Sequence, residues 1–163
     1  MTCNKKLEAY LLAQGVPFKQ QQHSVAFTAQ EVAASEHLPD DMVAKVVIIF
    51  ADAAMVMLVL PASEHADLAK VAAALGAKQA WLADEHEFAA VFPDCDIGAM
   101  PPFGNLYDIP VYVDRTLTSD ETIVFQAGTH TDTIRMGYAN YARLVQPKIV
   151  DVVQETPALA SHA

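Results

Sequence analysis

Cysteine is nearly absent. Only Cys3 and Cys95 occur, far apart and in no metal-ligand spacing, so neither a disulfide framework nor a zinc site is expected. Basic residues are scarce as well, with 10 Lys+Arg against 20 Asp+Glu and a formal net charge of −10. That balance excludes a protein that grips nucleic acid over a broad surface, and no DNA partner is expected. The cations are scattered, with only Lys5 and Lys6 adjacent, so contact with a polyanion has to be local or assisted by a partner. Uninterrupted apolar runs are missing too. Although 53% of the residues are hydrophobic, the longest such run, 43–60, is broken by Lys45 and Asp52, and no membrane span is expected. Residues 1–7 hold no apolar signal core, which points to a cytoplasmic protein. No repeat, low-complexity tract or linker interrupts the chain. Its 163 residues suit one domain over 1–155, with 156–163 as a disordered tail that has nothing to bury.

What is present reads as a mixture of helices and strands. Leu7, Tyr10 and Leu11 recur at helical spacing before Gly15 and Pro17, predicting a helix over 4–14; the polar, alternating stretch 18–23 suits an edge strand. Thr28 and Glu31 form a capping box ahead of Val32 and Ala33, predicting a second helix over 29–37. Residues 45–50 are β-branched and apolar on both faces, as a strand buried on both sides requires, and 55–60 is its antiparallel partner, ended by Pro61. Leu68, Val71 and Leu75 make a helical stripe closed by Gly76; Asp84 caps a helix that carries Phe88 and Val91. Strands follow at 110–114, 122–125 and 131–136, then a helix holding Tyr138 and Tyr141 that Pro147 stops. Strands in neighbouring runs with helices between the groups favour an α+β domain with a mixed sheet over regular βαβ winding.

Three places can carry chemistry. In Gly98-Ala99-Met100-Pro101-Pro102-Phe103-Gly104, two prolines fix the backbone and remove two donors while the glycines open conformations that other residues resist. Such a loop is either a rigid turn or a cradle whose remaining N–H groups face a carbonyl or phosphate oxygen. Lys45 opens an otherwise apolar strand, where it either snorkels its ammonium into water or offers it at a pocket rim. His130 precedes Asp132 by two residues, which in a strand places both on one face, so the carboxylate can orient the imidazole. No Gly-x-Ser-x-Gly elbow accompanies them, arguing against a serine-hydrolase triad, and no His-Glu-x-x-His spacing suggests a catalytic metal. Cys95 lies between Asp94 and Asp96, which disfavour a thiolate, and reads as structural.

Lys45 at the head of an apolar strand, the Gly98-x-x-x-Pro102 loop running into Phe103-Gly104, and the Gly128 strand leading to the closing segment 141–147 together resemble the YbaK/prolyl-tRNA-synthetase-associated editing domain over residues 23–153. The resemblance implies a mixed, barrel-like sheet surrounded by helices and a free-standing domain that hydrolyses the ester of wrongly charged aminoacyl-tRNA without metal or cofactor. It gives Lys45 and Gly98 catalytic roles and makes Ala99, Met100, Pro101, Pro102, Phe103, Gly104, Gly128 and His130 substrate-binding. His130 resembles the histidine that members acting on alanyl-tRNA place in the pocket, implying a small amino acid such as alanine. The partner implied is the acceptor end of aminoacyl-tRNA, delivered by an aminoacyl-tRNA synthetase or an elongation factor. An activated ester needs a placed water and oxyanion stabilisation more than a protein nucleophile, which accounts for the missing triad. The competing class is a non-catalytic module on the same fold that binds a small molecule or a protein.

Overall fold

A computed structural model describes residues 2–155; the expected tail, 156–163, lies outside them. Helix α1 (Cys3–Gln14) starts where the Thr2 hydroxyl accepts the Lys5 N–H and stops at Gly15, whose φ of 69° provides the left-handed cap. Strand β1 (Phe18–Gln22) leads to α2 (Ala29–Ser35), where the Thr28/Glu31 capping box is formed in both directions. Strands β2 (Ala44–Ala51) and β3 (Ala54–Pro61) make the expected antiparallel hairpin, with Lys45 opposite Leu60. Next come α3 (Leu68–Leu75), β4 (Ala80–Leu82) and α4 (Glu85–Ala89), and then the proline loop. Beyond it stand β5 (Val111–Asp114), β6 (Thr122–Gln126), β7 (Asp132–Gly137), α5 (Tyr138–Val145) and β8 (Lys148–Val150).

The strands form two sheets. One holds three antiparallel strands in the order β1-β7-β6; the other holds five in the order β4-β2-β3-β5-β8, in which β5 runs parallel to both its neighbours. This is a single α+β domain with mixed sheets, but the barrel-like closure expected of it is not there. Among the described residues one parallel bridge, Val43 to Val124, links the backbones of the two sheets, and neither curls onto itself. Closure would need a continuous ladder around the circumference, whereas the three-stranded sheet ends at β1.

Strand β3 explains why the hairpin reads as apolar on both faces. Met57 and Val59 point into the main core with Leu7, Leu11, Phe103, Phe125 and Tyr141, while Val56, Leu58 and Leu60 meet Val71 of α3 and Val150 of β8. A strand sandwiched this way tolerates no polar alternation. The core aromatics interlock, with the Phe103 ring 5.6 Å from Phe125 and edge-on to Tyr141 at 5.3 Å.

Cys3 and Cys95 overturn the expectation of unpaired cysteines, since they are joined as a disulfide across a sequence separation of 92. Spacing in the sequence could not show this. The fold brings α1 against the segment before the proline loop, where the Cys3 N–H also donates to the Asp94 carbonyl at 3.0 Å.

Candidate active site

Strand β2 begins at the open end of the hairpin, and its second residue, Lys45, is half-buried near the end of that interior strand. The chain turns back over it. Ala62 donates to the Val43 carbonyl at 2.8 Å and Glu64 to the Pro61 carbonyl at 3.0 Å, which brings the loop after β3 beside the lysine. Burial pulls the Lys45 pKa down from its ordinary value, and the nearby Glu64 carboxylate partly opposes that. Among the described residues no carboxylate lies within ion-pair distance of the Lys45 ammonium and no hydrogen bond holds it. The ammonium is free to meet a ligand.

Lys45 divides two cavities. A cavity of about 310 Å³ is walled by Lys45, Val46 and His65 on one side and by Phe27, Thr28, Gln126 and Gly98 on the other. A larger one of about 720 Å³ shares Lys45 and His65 and continues over Val47, Leu68 and Leu82 to Gln154. A third, of about 220 Å³, joins Val46 and Leu82 to Gly98 and Met100.

The proline loop is held as a shaped element. Asp96 N–H donates to the Gly128 carbonyl at 2.9 Å, Gly128 N–H to the Ala99 carbonyl at 2.9 Å, and Ala99 N–H to the Asp96 carbonyl at 3.0 Å. These three bonds force Gly98 to φ 85°, in the left-handed region that a side chain resists. Gly128 has φ 94° and a second constraint, because a Cβ there would lie 2.8 Å from the Cys3 Sγ and 2.9 Å from the Asn4 nitrogen. Further along, the Tyr141 hydroxyl donates to the Pro102 carbonyl at 2.7 Å.

The structure therefore brings some of the expected residues together and sets others apart. Lys45 and Gly98 face the same 310 Å³ cavity, and Met100 reaches the adjoining one. The N–H groups of Gly98 and Met100 have no partner among the described residues, whereas those of Ala99 and Phe103 are taken by the Asp96 and Pro101 carbonyls. Ala99, Pro101, Pro102, Phe103 and Gly104 are buried behind the cavity wall, where Gly104 leaves room for the Ile109 carbonyl that a Cβ would approach to 2.6 Å. Gly128 pins the loop from behind.

His130 stands beside the small cavity, its ring 4.9 Å from Phe27 and its Cε1 3.8 Å from where a Cβ on Gly98 would sit. Its expected tie to Asp132 is not made. Strand β7 begins only at Asp132, so the alternation that would align the two does not extend back to His130, and the Asp132 carboxylate instead accepts the Thr129 hydroxyl at 2.6 Å. Reading the sequence also missed Glu64, His65, Gln126 and Phe27. A signal for the first two existed: pairing Lys45 with Leu60 across a tight hairpin puts the residues after Pro61 next to the lysine.

The family model for the aminoacyl-tRNA editing domain matches residues 23–144. The Multifunctional Ser/Thr-tRNA deacylase ProXp-y of Escherichia coli (strain K12) is 31% identical over 97 residues, and so is its counterpart in Escherichia coli O157:H7. Those matches cover 59% of this chain and 58% of the relatives, so the chain spans under two thirds of their length. Among solved structures, a crystal structure of a hypothetical protein superposes with a TM-score of 0.83 at 19% identity, covering 91% of this chain and 99% of that one. Another, of a candidate trans-editing enzyme for prolyl-tRNA synthetase, gives 0.81 at 18%, covering 95% and 99%. At those identities the shared property is the fold.

Proposed function

The chain belongs to the aminoacyl-tRNA editing domain family, and from that premise we propose that it is a trans-acting deacylase that hydrolyses the ester of mischarged tRNA bearing a small amino acid. One observation carries the reading. An unpaired, half-buried ammonium and a left-handed glycine with a free N–H, from distant parts of the chain, face one cavity of about 310 Å³.

Such a cavity suits ester hydrolysis with no protein nucleophile. An aminoacyl ester is already activated, and the barrier falls when water is placed and the charge that develops on the carbonyl oxygen meets preorganised donors. In this reading the Lys45 ammonium and the Gly98 and Met100 N–H groups are those donors. Desolvation strengthens them, because a cation half removed from water acts through a lower effective dielectric. Lys45 also reaches toward the terminal phosphate, and a ribose hydroxyl of the substrate assists the water.

Size decides the amino acid. A pocket closed by Gly98 and flanked by His130 excludes by volume more effectively than it attracts, since one methylene is worth only about 1–3 kcal/mol in an apolar site. Alanine, serine and threonine fit this expectation; the E. coli relatives are named for the latter two. With a net charge of −10 the protein holds the charged end of tRNA instead of its body, and receives it in the cytoplasm from a synthetase or elongation factor.

The test is to incubate the purified chain with tRNAs carrying alanine, serine, threonine, cysteine or phenylalanine and to follow amino-acid release. Release of the small residues above the spontaneous rate, with phenylalanine spared, is expected. Release of none would leave the fold as a binding module and overturn the proposal.

A further inference from the structure

Gln126 is 8% exposed, yet it carries an amide into the wall of the small cavity. Its Nε2 donates to the Ala26 carbonyl at 3.2 Å and lies 3.5 Å from His130 Nδ1. We infer that Gln126 is a positioning residue that holds His130 as the tautomer protonated on Nε2, so that the imidazole meets substrate as a hydrogen-bond donor and not as a base. The inference rests on the deacylase reading for its consequence, though not for its geometry.

A backbone carbonyl can only accept, so the Gln126 atom facing Ala26 must be the amide nitrogen; turned over, the amide would set two acceptor oxygens against each other. That nitrogen has two hydrogens and no lone pair free to accept. Its second hydrogen is the one that can meet His130 Nδ1 at 3.5 Å, and in that contact Nδ1 serves as the accepting nitrogen. The proton is left on Nε2.

Nothing nearby reverses this. The Asp132 carboxylate accepts the Thr129 hydroxyl at 2.6 Å and Asp96 Oδ2 accepts the backbone N–H of His130 at 3.3 Å, and among the described residues neither carboxylate is hydrogen-bonded to the ring. The Ala26 N–H holds the His130 backbone through its carbonyl at 3.0 Å, and the imidazole packs on Phe27. Nε2 has no protein partner among the described residues. With Cε1 against Gly98, that N–H is available to an acceptor oxygen of the ester or the ribose. A substrate lacking an acceptor there would lose this contact.

The tautomer can be read by nitrogen NMR on protein labelled with ¹⁵N-histidine, above the ordinary imidazole pKa of about 6.5, with the His130 signals assigned by their loss in His130→Gln. The wild-type protein should show a protonated Nε2 and a bare Nδ1. Gln126→Glu should exchange them, because a carboxylate can only accept and so favours a hydrogen on Nδ1, and should slow release of alanine from alanyl-tRNA about tenfold, the scale of one lost hydrogen bond. His130→Gln, whose amide N–H can stand where Nε2–H does, should lose less. A wild-type ring protonated on Nδ1, or a Gln126→Glu variant with the wild-type tautomer, would overturn the inference. A chain that releases no amino acid but shows the expected tautomer would sink the deacylase reading alone.

Discussion

The two sides of the small cavity are built in opposite ways. On the Gly98 side, three backbone hydrogen bonds among Asp96, Ala99 and Gly128 lock the loop, a disulfide joins the residue before it to α1, and the Tyr141 hydroxyl holds its far end. On the Lys45 side a single ammonium stands half-buried with neither a hydrogen bond nor an ion pair among the described residues. The difference separates two requirements. Donors on a backbone must be aimed before the substrate arrives, and that takes a rigid frame; a cation does best uncommitted, because a carboxylate partner that fixed it would also offset its charge. The cost of leaving Lys45 unpaired appears as its depressed pKa.

The comparison breaks most sharply at the lysine. Lys45→Ala should reduce deacylation about a hundredfold, as removal of one oxyanion donor does, without lowering the melting temperature. A variant that deacylates normally would make the ammonium a solvated strand end. Nearly as large, but in stability, is the effect on the frame. Gly128→Ala combines a positive φ with a Cβ driven to 2.8 Å from the disulfide sulfur and should cost about 3 kcal/mol in denaturant unfolding. Gly98→Ala has a similar φ but only an ordinary 3.8 Å contact, and should cost about 1 kcal/mol. Equal losses at the two glycines would show that conformation alone, and not packing on α1, governs the frame.

A smaller effect belongs to Glu64. An activity that needs the ammonium is present below the Lys45 pKa and lost as pH rises through it, and burial places that loss below the ordinary lysine value of 10.5. Because Glu64 opposes the shift, Glu64→Gln should move the alkaline loss to still lower pH once the spontaneous hydrolysis rate is subtracted. The linked effect on stability has a definite sign. A lysine with a depressed folded pKa penalises folding at neutral pH, and the penalty is relieved as pH rises from the folded pKa toward the unfolded one. A pH–rate profile unchanged by Glu64→Gln would remove the carboxylate from the account.

Much of this contrast was legible in the sequence, and the rest was hidden for physical reasons. Lys45 stood out because a charge interrupts a run whose periodicity demands burial on both faces, and the loop stood out because paired prolines between glycines have few conformations. The hairpin, α3, the Thr28/Glu31 capping box and the Asp84 cap followed from local rules and stand where those rules put them, although α4 ends at Ala89, short of Val91. Strands β4 and β8, three residues each, are too short to display a period, and pairing with β2 and β5 makes them strands. The Cys3–Cys95 bond and the Gln126–His130 contact depend on which segments the topology brings together. His130 was paired in advance with Asp132 by assuming that the strand ran through both, and one early strand boundary was enough to misassign its partner.

On the proposed reading the aminoacyl ester lies between Lys45 and Gly98. That placement is tested most directly by titrating the ¹⁵N-labelled chain with an alanyl-adenosine whose ester is replaced by a stable amide, and by following the backbone resonances. Saturable shifts concentrated at Lys45, Gly98, Met100 and Gln126 are expected, and their loss in Lys45→Ala. Shifts centred on the separate hollow by Lys70, Ala73 and Ile149, or binding that Lys45→Ala leaves unaltered, would contradict it.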